Sequence, residues 1–457
     1  MGITIKMLTV LSQTNINEVK EFIPTMASNI GELFCRPETY AILAFIVLSL
    51  FGVSKVRKTV LRRTAIVLSS AGFAALVTVL CLISNGRTNF SVAGRTVKSI
   101  WSSYKERKQI EMFMSDRPLL PYPETVKSQQ LADVFMVIGE SASRSHLSLY
   151  DYPLNTCPVL SRIDDGLIVF DNAIGSSTST AFNMNRILTF LSDSDEATRW
   201  NESAMLFGVL NQAGYHTAWV SNQEMGGMWS NPTPAMVADA DVVEYVGSIS
   251  SDDATMAKYD DAVLPVIEKL ALREDSPKFI GVHLMGSHIE YWKRYPKDYD
   301  IFTAESILGL NRNFELSHSH AATVAEYDNS IYYTDYILGR IIDIVNSSRR
   351  PTIMIYFSDH GENVYDDNDN FCGRDSRYVE VPFVMYANAP FREYCPELYH
   401  RLAEAASKPL STADIANVVC TLTGTEYCLY DSTRDVSSPS YVSGPRYVDD
   451  KLWQSSE

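Results

Sequence analysis

The sequence predicts an α/β domain, a central sheet flanked by helices, preceded by a two-helix membrane hairpin. Three observations carry that prediction. From about Leu131, short apolar runs of β-branched and aromatic residues alternate with helical patterns; three of those runs end in metal-ligand residue types; and two long apolar runs precede them, separated by a basic loop. Alternation of this kind builds a sheet covered on both faces, and such sheets hold ligands beyond the carboxyl ends of their strands.

The chain has 457 residues, 46% of them hydrophobic, enough for one large domain with a smaller addition. Its formal charge of −16 argues against a nucleic-acid partner. The seven cysteines include no C-x-x-C spacing, so they frame no zinc finger. Cys420 and Cys428 are close enough in sequence to staple a short loop in an oxidising compartment, with buried free thiols as the equal alternative.

Residues 1–38 lack the basic start, apolar core and small-residue cleavage site of a signal peptide. Residues 39–84 form the hairpin. Tyr40 to Val53 and Ala65 to Ile83 are apolar; the second run is near the ~20 residues a helix needs to cross a bilayer, and the first reaches that length only with its flanks. The basic loop from Ser54 to Arg63 is read as cytoplasmic, which places residues 1–38 and everything after Ile83 outside. Arg87, Arg95, Lys98, Lys105, Arg107 and Lys108 make the following stretch basic too, so charge alone nearly balances the two orientations. Within residues 85–130, Trp101 and Tyr104 among those bases mark an interfacial segment, and Asp116 to Thr125, with three prolines, is the linker. Residues 131–430 are the α/β domain, and 431–457, rich in Ser, Pro and Asp, a loosely held tail.

Expected strands are Val134 to Ile138, Thr217 to Val220, Phe279 to Leu284, Ile353 to Phe357 and Val381 to Tyr386. Expected helices include Asp261 to Leu272, Ala322 to Val345 and Leu398 to Ala406. Three of the strands end in chemistry. The run ending at Phe357 meets Ser358-Asp359-His360-Gly361-Glu362-Asn363, the run ending at Ile138 meets Gly139-Glu140-Ser141, and the run ending at Leu284 meets Met285-Gly286-Ser287-His288. A carboxylate beside an imidazole, followed by a glycine that lets the chain turn, suits a divalent metal such as zinc, although Asp-His pairs also occur in ordinary polar turns. Glu140 could meet Asp359 and His360 at one sheet edge. Between them, Gly175-Ser176-Ser177-Thr178-Ser179-Thr180-Ala181-Phe182 is a hydroxyl-rich loop leading into a helix over Asn185 to Leu191. Backbone N–H groups and the positive helix end would favour a phosphate there, and a metal-bound Ser or Thr would become a nucleophile; the bland alternative is a Ser/Thr-rich helix cap.

Five segments between Val137 and Glu362 together resemble the phosphoethanolamine transferases, inner-membrane enzymes with a periplasmic catalytic domain of the alkaline phosphatase/sulfatase fold. They are Val137 to Arg144, Thr178 to Phe182, Leu284 to His288 followed by Lys293-Arg294-Tyr295-Pro296, Tyr327 to Ile331, and Ser358 to Glu362. The resemblance implies that Thr180 is the nucleophile and takes up phosphoethanolamine covalently. It further implies that Glu140, Thr180, Asp359 and His360 hold a zinc ion, and that His288 binds near the phosphoryl group as a general acid or helps bind a second zinc. The Gln13 to Glu18 stretch resembles the family segment just outside the third transmembrane helix, where Thr14 and Glu18 would lie near the donor headgroup. With five membrane helices usual in the family, this implies a shortened N-terminal membrane domain.

By the same resemblance, Ser176 and Arg186 stand where lipid A-modifying members carry two bridged cysteines. A family histidine is missing near Cys372 and Gly373, and Ile289-Glu290 replaces a Gly-Pro. These departures favour a core sugar or periplasmic glucan over lipid A as the acceptor. The implied reaction moves phosphoethanolamine from phosphatidylethanolamine to lipopolysaccharide or another periplasmic glycan. A phosphoglycerol transferase or phosphodiesterase of the same superfamily, and an inactive membrane-anchored binding protein, are the alternatives. A sulfatase needs a Cys or Ser in C/S-x-P-x-R, and Cys157-Pro158-Val159-Leu160 lacks that spacing.

Overall fold

The computed structural model describes residues 126–223, 232–247, 259–273, 277–366, 376–449 and 451–453. The hairpin over 39–84, together with Thr14 and Glu18, lies outside the described residues. Among the described residues, no helix is long and apolar enough to cross a membrane.

Each of the five expected strands forms, within a residue or two at its ends, because each is a β-rich apolar run that can be buried on both faces. They are Asp133–Gly139, His216–Ser221, Lys278–His283, Thr352–Ser358 and Phe383–Ala387. Two short strands, Leu167–Val169 and Val242–Tyr245, escaped the sequence reading because they lie at the sheet's edges and are too short to show a period. The seven-stranded order is Leu167–Val169, Phe383–Ala387, Thr352–Ser358, Asp133–Gly139, Lys278–His283, His216–Ser221, Val242–Tyr245. The last five are mutually parallel, and Phe383–Ala387 runs antiparallel to both of its neighbours.

Helices His318–Ser347 and Leu264–Ala271 place Tyr333, Ile337, Leu338, Ile341, Ile267 and Leu270 on Phe135, Val137, Ile280, Val282, Met354 and Tyr356 of the sheet. Val134, Met136 and Ile138, which point the other way, are also fully buried, and helix Ile415–Thr423 packs beside their strand. Both faces are therefore covered, as uninterrupted apolar strands require.

Two expectations for the C-terminal third are corrected. Cys420 and Cys428 do not pair: both are free thiols, Cys420 buried on the inner side of helix Ile415–Thr423 and Cys428 exposed beyond it. The stretch from Asp431 is no loose tail over its described residues. Asp435, Val436 and Ser437 are buried, and Arg434 holds Asp414 at 2.6 Å while its guanidinium also reaches the Leu191 carbonyl at 3.1 Å. Its polar residues hide this from a composition argument because they are bonded to the rest of the domain, Arg434 to Asp414 and Asp435 to Tyr430 among them.

At the end of the sheet opposite the ligand-bearing loops, Asp133 joins three strands. Its carboxylate accepts from the Lys278 N–H and Nζ and from Arg350 Nε, each at 3.0 Å. Asp133→Ala would leave the buried Lys278 ammonium without its partner, which costs about 3–5 kcal/mol. Denaturant titration should show that loss, with a smaller one for Asp133→Asn; an unchanged midpoint for Asp133→Ala would mean the three strands do not depend on this carboxylate.

Candidate functional site

Register creates the site. Gly139 lies opposite Ser358 on adjacent parallel strands, so the next residues, Glu140 and Asp359, emerge side by side. Ile138 lies opposite His283 on its other flank, which brings the turn carrying Gly286 and Ser287 against Glu140. Gly286 sits at φ +53 with the Glu140 nitrogen 2.7 Å from where a Cβ would be, and the Ser287 N–H donates to the Glu140 carbonyl at 2.9 Å. Only glycine fits a left-handed turn pressed this closely on another backbone.

Glu140, Asp359 and His360 are buried, and their ligand atoms lie within 4.8 Å of one another. His360 Nδ1 donates to the Gly361 carbonyl at 2.8 Å, which turns Nε2 toward the carboxylates. Nε2 is 3.2 Å from Glu140 Oε1 and 3.6 Å from Asp359 Oδ2. Asp359 Oδ1 accepts the N–H groups of Ser141 at 3.1 Å and His360 at 2.7 Å, while Oδ2 has no hydrogen bond among the described residues. Thr180 Oγ1 completes the cluster, 3.2 Å from both Glu140 oxygens and 3.4 Å from His360 Nε2.

Thr180 is the first residue of helix Thr180–Ile187, not part of a loop before Asn185 as expected from the sequence. The start comes early because Asn183 organises the preceding turn. Its Oδ1 accepts from Ser176 Oγ at 3.1 Å and the Ser177 N–H at 3.0 Å, and its Nδ2 donates to the carbonyls of Ser177 at 2.7 Å and Ser179 at 3.2 Å. The helix's unpaired first N–H groups thus begin at Thr180, where an anion is favoured.

The charges explain what the cluster can hold. Burial raises Glu140, but the hydrogen bond and charge of His360, with His288 and His283 beyond, bring it down to about 2. Burial and the neighbouring Glu140 carboxylate push Asp359 up to about 7. Burial would lower His360, yet Asp359 and Glu140 hold it up at about 10. Two carboxylates compete for one proton-bearing imidazole, and one carboxylate oxygen has no donor. A divalent cation fits this set: it replaces the imidazole proton, satisfies Asp359 Oδ2 and removes the repulsion between carboxylates.

One helix braces the surrounding loops through the Tyr327-Asp328-Asn329-Ser330 segment. Tyr327 Oη donates to the Ser141 carbonyl and accepts the Ser143 N–H, both at 2.7 Å, fixing the turn after Glu140. Asp328 binds His146 Nδ1 at 2.6 Å and accepts from Tyr152 Oη at 2.7 Å. Asn329 Oδ1 accepts the N–H groups of Ile301 at 2.9 Å and Phe302 at 2.8 Å, and Ser330 Oγ donates to Ser287 Oγ at 2.8 Å.

Of the residues singled out in the sequence, Glu140, Thr180, Asp359 and His360 converge. His288 stands at the same sheet edge, half-buried, and acts on Glu140 through charge. Gln223 was missed: its Nε2 donates to Glu140 Oε2 at 3.3 Å and to the Leu284 carbonyl at 3.0 Å. It follows the His216–Ser221 strand as Glu140 follows its own, but as an amide it is not a zinc-ligand type, so only its place after an expected strand pointed to it. Positions 176 and 186 are tied down without a bridge, Arg186 by donating to the carbonyls of Ser192 at 3.1 Å and Asp195 at 2.7 Å. The loop around Cys372 lies outside the described residues.

A family profile described as Sulfatase matches residues 132–425. The phosphoethanolamine transferase EptC of Escherichia coli K12 is 28% identical over 326 residues, 68% of this chain and 54% of the relative. CptA of Salmonella typhimurium, also a phosphoethanolamine transferase, is 29% identical over 323 residues, with the same 68% and 54%. The chain thus spans about half the length of the curated relatives it matches. The C-terminal periplasmic domain of Escherichia coli EptC in complex with Zn superimposes with a TM-score of 0.64 at 25% identity, over 72% of this chain and 94% of that one.

Cation uptake should expel protons, because binding needs His360 neutral and Asp359 ionised. From pKa values of about 10 and about 7, roughly two protons leave per cation at about pH 6 and closer to one at about pH 8. Calorimetric titration of the metal-stripped protein in buffers of different ionisation enthalpy measures this. Proton-neutral binding would place the cation elsewhere.

Proposed function

The chain belongs to the sulfatase family, and on that premise we propose that it transfers phosphoethanolamine from phosphatidylethanolamine to lipopolysaccharide or another periplasmic glycan through a covalent phospho-threonine at Thr180. The observation that carries this is the seat of Thr180 Oγ1, 3.2 Å from both Glu140 oxygens and 3.4 Å from His360 Nε2, at the start of a helix. A threonine used only as a cap would have no need of a buried Glu–Asp–His cluster. Likeness to two phosphoethanolamine transferases and to the Zn complex of the EptC periplasmic domain supports the donor class, the metal and the compartment. Anchorage in the inner membrane, through residues 39–84, is part of the same proposal.

Glu140, Asp359, His360 and Thr180 would hold zinc, a set of one imidazole and three oxygen ligands that suits a four-coordinate site. Zinc there supplies Lewis acidity, lowering the hydroxyl pKa of Thr180 and offsetting negative charge on the phosphate. Thr180 loses its proton to solvent and Oγ1 attacks phosphorus. The bond to the diacylglycerol oxygen breaks, and that oxygen takes a proton from His288. In the second half an acceptor hydroxyl gives its proton to His288, attacks the same phosphorus and frees Thr180. Helix N–H groups beyond Thr180 face the phosphate oxygens and cost no reorganisation. Sulfate-ester chemistry through an aldehyde nucleophile is disfavoured, because Cys157 is buried among Leu147, Tyr327 and Ile331 and no C/S-x-P-x-R surrounds Thr180.

Thr180→Ala should stop transfer while zinc still binds, more weakly. Asp359→Ala or His360→Ala should lower zinc occupancy much further, and His288→Ala should keep the metal but slow turnover on the order of 10²-fold. Mass spectrometry after incubation with donor lipid and no acceptor should find one phosphoethanolamine on the peptide containing Thr180. A glycerophosphate adduct there would instead make it a phosphoglycerol transferase, and full transfer by Thr180→Ala would sink the mechanism.

A further inference from the structure

We propose that the C-terminal hairpin is part of the catalytic apparatus, with Asp449 as the positioning residue that fastens the nucleophile loop. This rests on the reading of Thr180 as nucleophile. The hairpin pairs Tyr447 with Leu452 and Val448 with Lys451. Val448 and Trp453 pack on Ile174, Tyr378 and Val379, immediately before the loop that leads to Thr180. Arg446 Nη1 donates to the Asn172 carbonyl at 3.0 Å, and the Tyr447 N–H donates to Asp193 Oδ2 at 3.0 Å. The hairpin is thereby held on both sides of the loop, at Asn172 before it and Asp193 after it.

At the tip, the Asp449 N–H donates to the Ser176 carbonyl at 3.0 Å, and Asp449 Oδ1 accepts from Ser177 Oγ at 2.6 Å. That same Ser177 oxygen accepts the N–H of Ser179 at 3.2 Å, the residue that caps the helix beginning at Thr180. A hydroxyl has one proton. By taking it, the Asp449 carboxylate leaves a Ser177 lone pair for the Ser179 N–H, so the orientation of one hydroxyl sets the backbone immediately before the nucleophile. Asn183 holds Ser176 and Ser177 from within the helix, and Asp449, from the far end of the chain, holds the same two residues. Gly175 adds the reason for precision: a Cβ there would meet the Asp359 carbonyl at 2.6 Å, so loop and metal-ligand loop are in direct contact. Displacement of Ser176 and Ser177 therefore moves Thr180 relative to Asp359 and His360.

Asp449 itself sits at φ 49, a left-handed conformation that Asp and Asn tolerate better than Ala. Asp449→Asn keeps both the acceptor and that tolerance; Asp449→Ala loses both. In the full chain with zinc bound, Asp449→Ala should lower kcat about tenfold with KM for donor lipid little changed, and should speed amide exchange in the peptide spanning 176–181. Asp449→Asn should restore both readouts. Ser177→Ala should behave like Asp449→Ala, and the double variant should be no worse than either, as expected of two groups acting through one bond. Wild-type kcat and exchange in Asp449→Ala, or a defect shared equally by Asp449→Asn, would overturn the proposal. Thr180→Ala run alongside separates the two readings: transfer surviving in that variant would refute the nucleophile, while exchange in the 176–181 peptide still decides whether Asp449 holds the loop.

Discussion

Two carboxylates and an imidazole are forced together in a buried place by the pairing of Gly139 with Ser358. The arrangement is costly by itself, since burial disfavours each charge and the carboxylates repel. The sheet bears that cost through strands buried on both faces, and a one-residue slip of either strand would part Glu140 from Asp359 and turn every side chain over. The metal site is thus a consequence of sheet register more than of any local contact. Asp133, tying three strand starts at the far end of the same strand that delivers Glu140, works on the same register from the other side.

A second constraint comes from the helix His318–Ser347. Successive helical residues point about 100° apart, so Tyr327, Asp328, Asn329 and Ser330 face four directions and fasten four different pieces of chain. Tyr327 takes the Glu140 turn, Asp328 takes His146 and Tyr152, Asn329 takes the Ile301–Phe302 turn, and Ser330 takes the Ser287 turn beside His288. Four consecutive polar residues would ordinarily weaken a buried helix. Here each has its partner, and the helix serves as a rigid rod against which separate loops are aligned. His146 shows how tightly: burial opposes its charge, but Asp366 and Asp328 raise its pKa to about 10, keeping both ring nitrogens as donors.

What could be read from the sequence was what repeats or terminates abruptly. Apolar strands ending at Glu140 and at Asp359-His360 declared both the sheet and its ligand-bearing edge. Gln223 follows the expected strand Thr217 to Val220, but an amide is not a zinc-ligand type, so its residue type did not mark it. Short edge strands such as Val242–Tyr245, half exposed, carry too little apolar signal to be seen. The start of the Thr180 helix was set by Asn183 folding back on Ser177 and Ser179, a local arrangement that residue types permit but do not announce. The pairing of Cys420 with Cys428 failed for a plainer reason: nearness in sequence says nothing of direction, and the helix turns Cys420 inward.

Thr180 differs from its three partners in how it is placed. Glu140 extends directly from a strand of the main sheet, and Asp359 and His360 extend from its neighbour. Thr180 follows a two-residue strand, Ala173–Ile174, which lies outside that sheet, pairing with Leu410–Ser411 and through a single bridge from Ile174 to Glu380. Two residues of pairing cannot hold a hydroxyl to a few tenths of an ångström, so the remaining precision has to come from side chains. Asn183 supplies four hydrogen bonds from within the helix itself, and the far end of the chain supplies the rest through Asp449. A polar C-terminal stretch is therefore what the geometry needs: apolar residues could cover the loop but could not choose the direction of the Ser177 hydroxyl. The same composition that makes residues 431–449 look dispensable in the sequence is what lets them define the approach to the nucleophile.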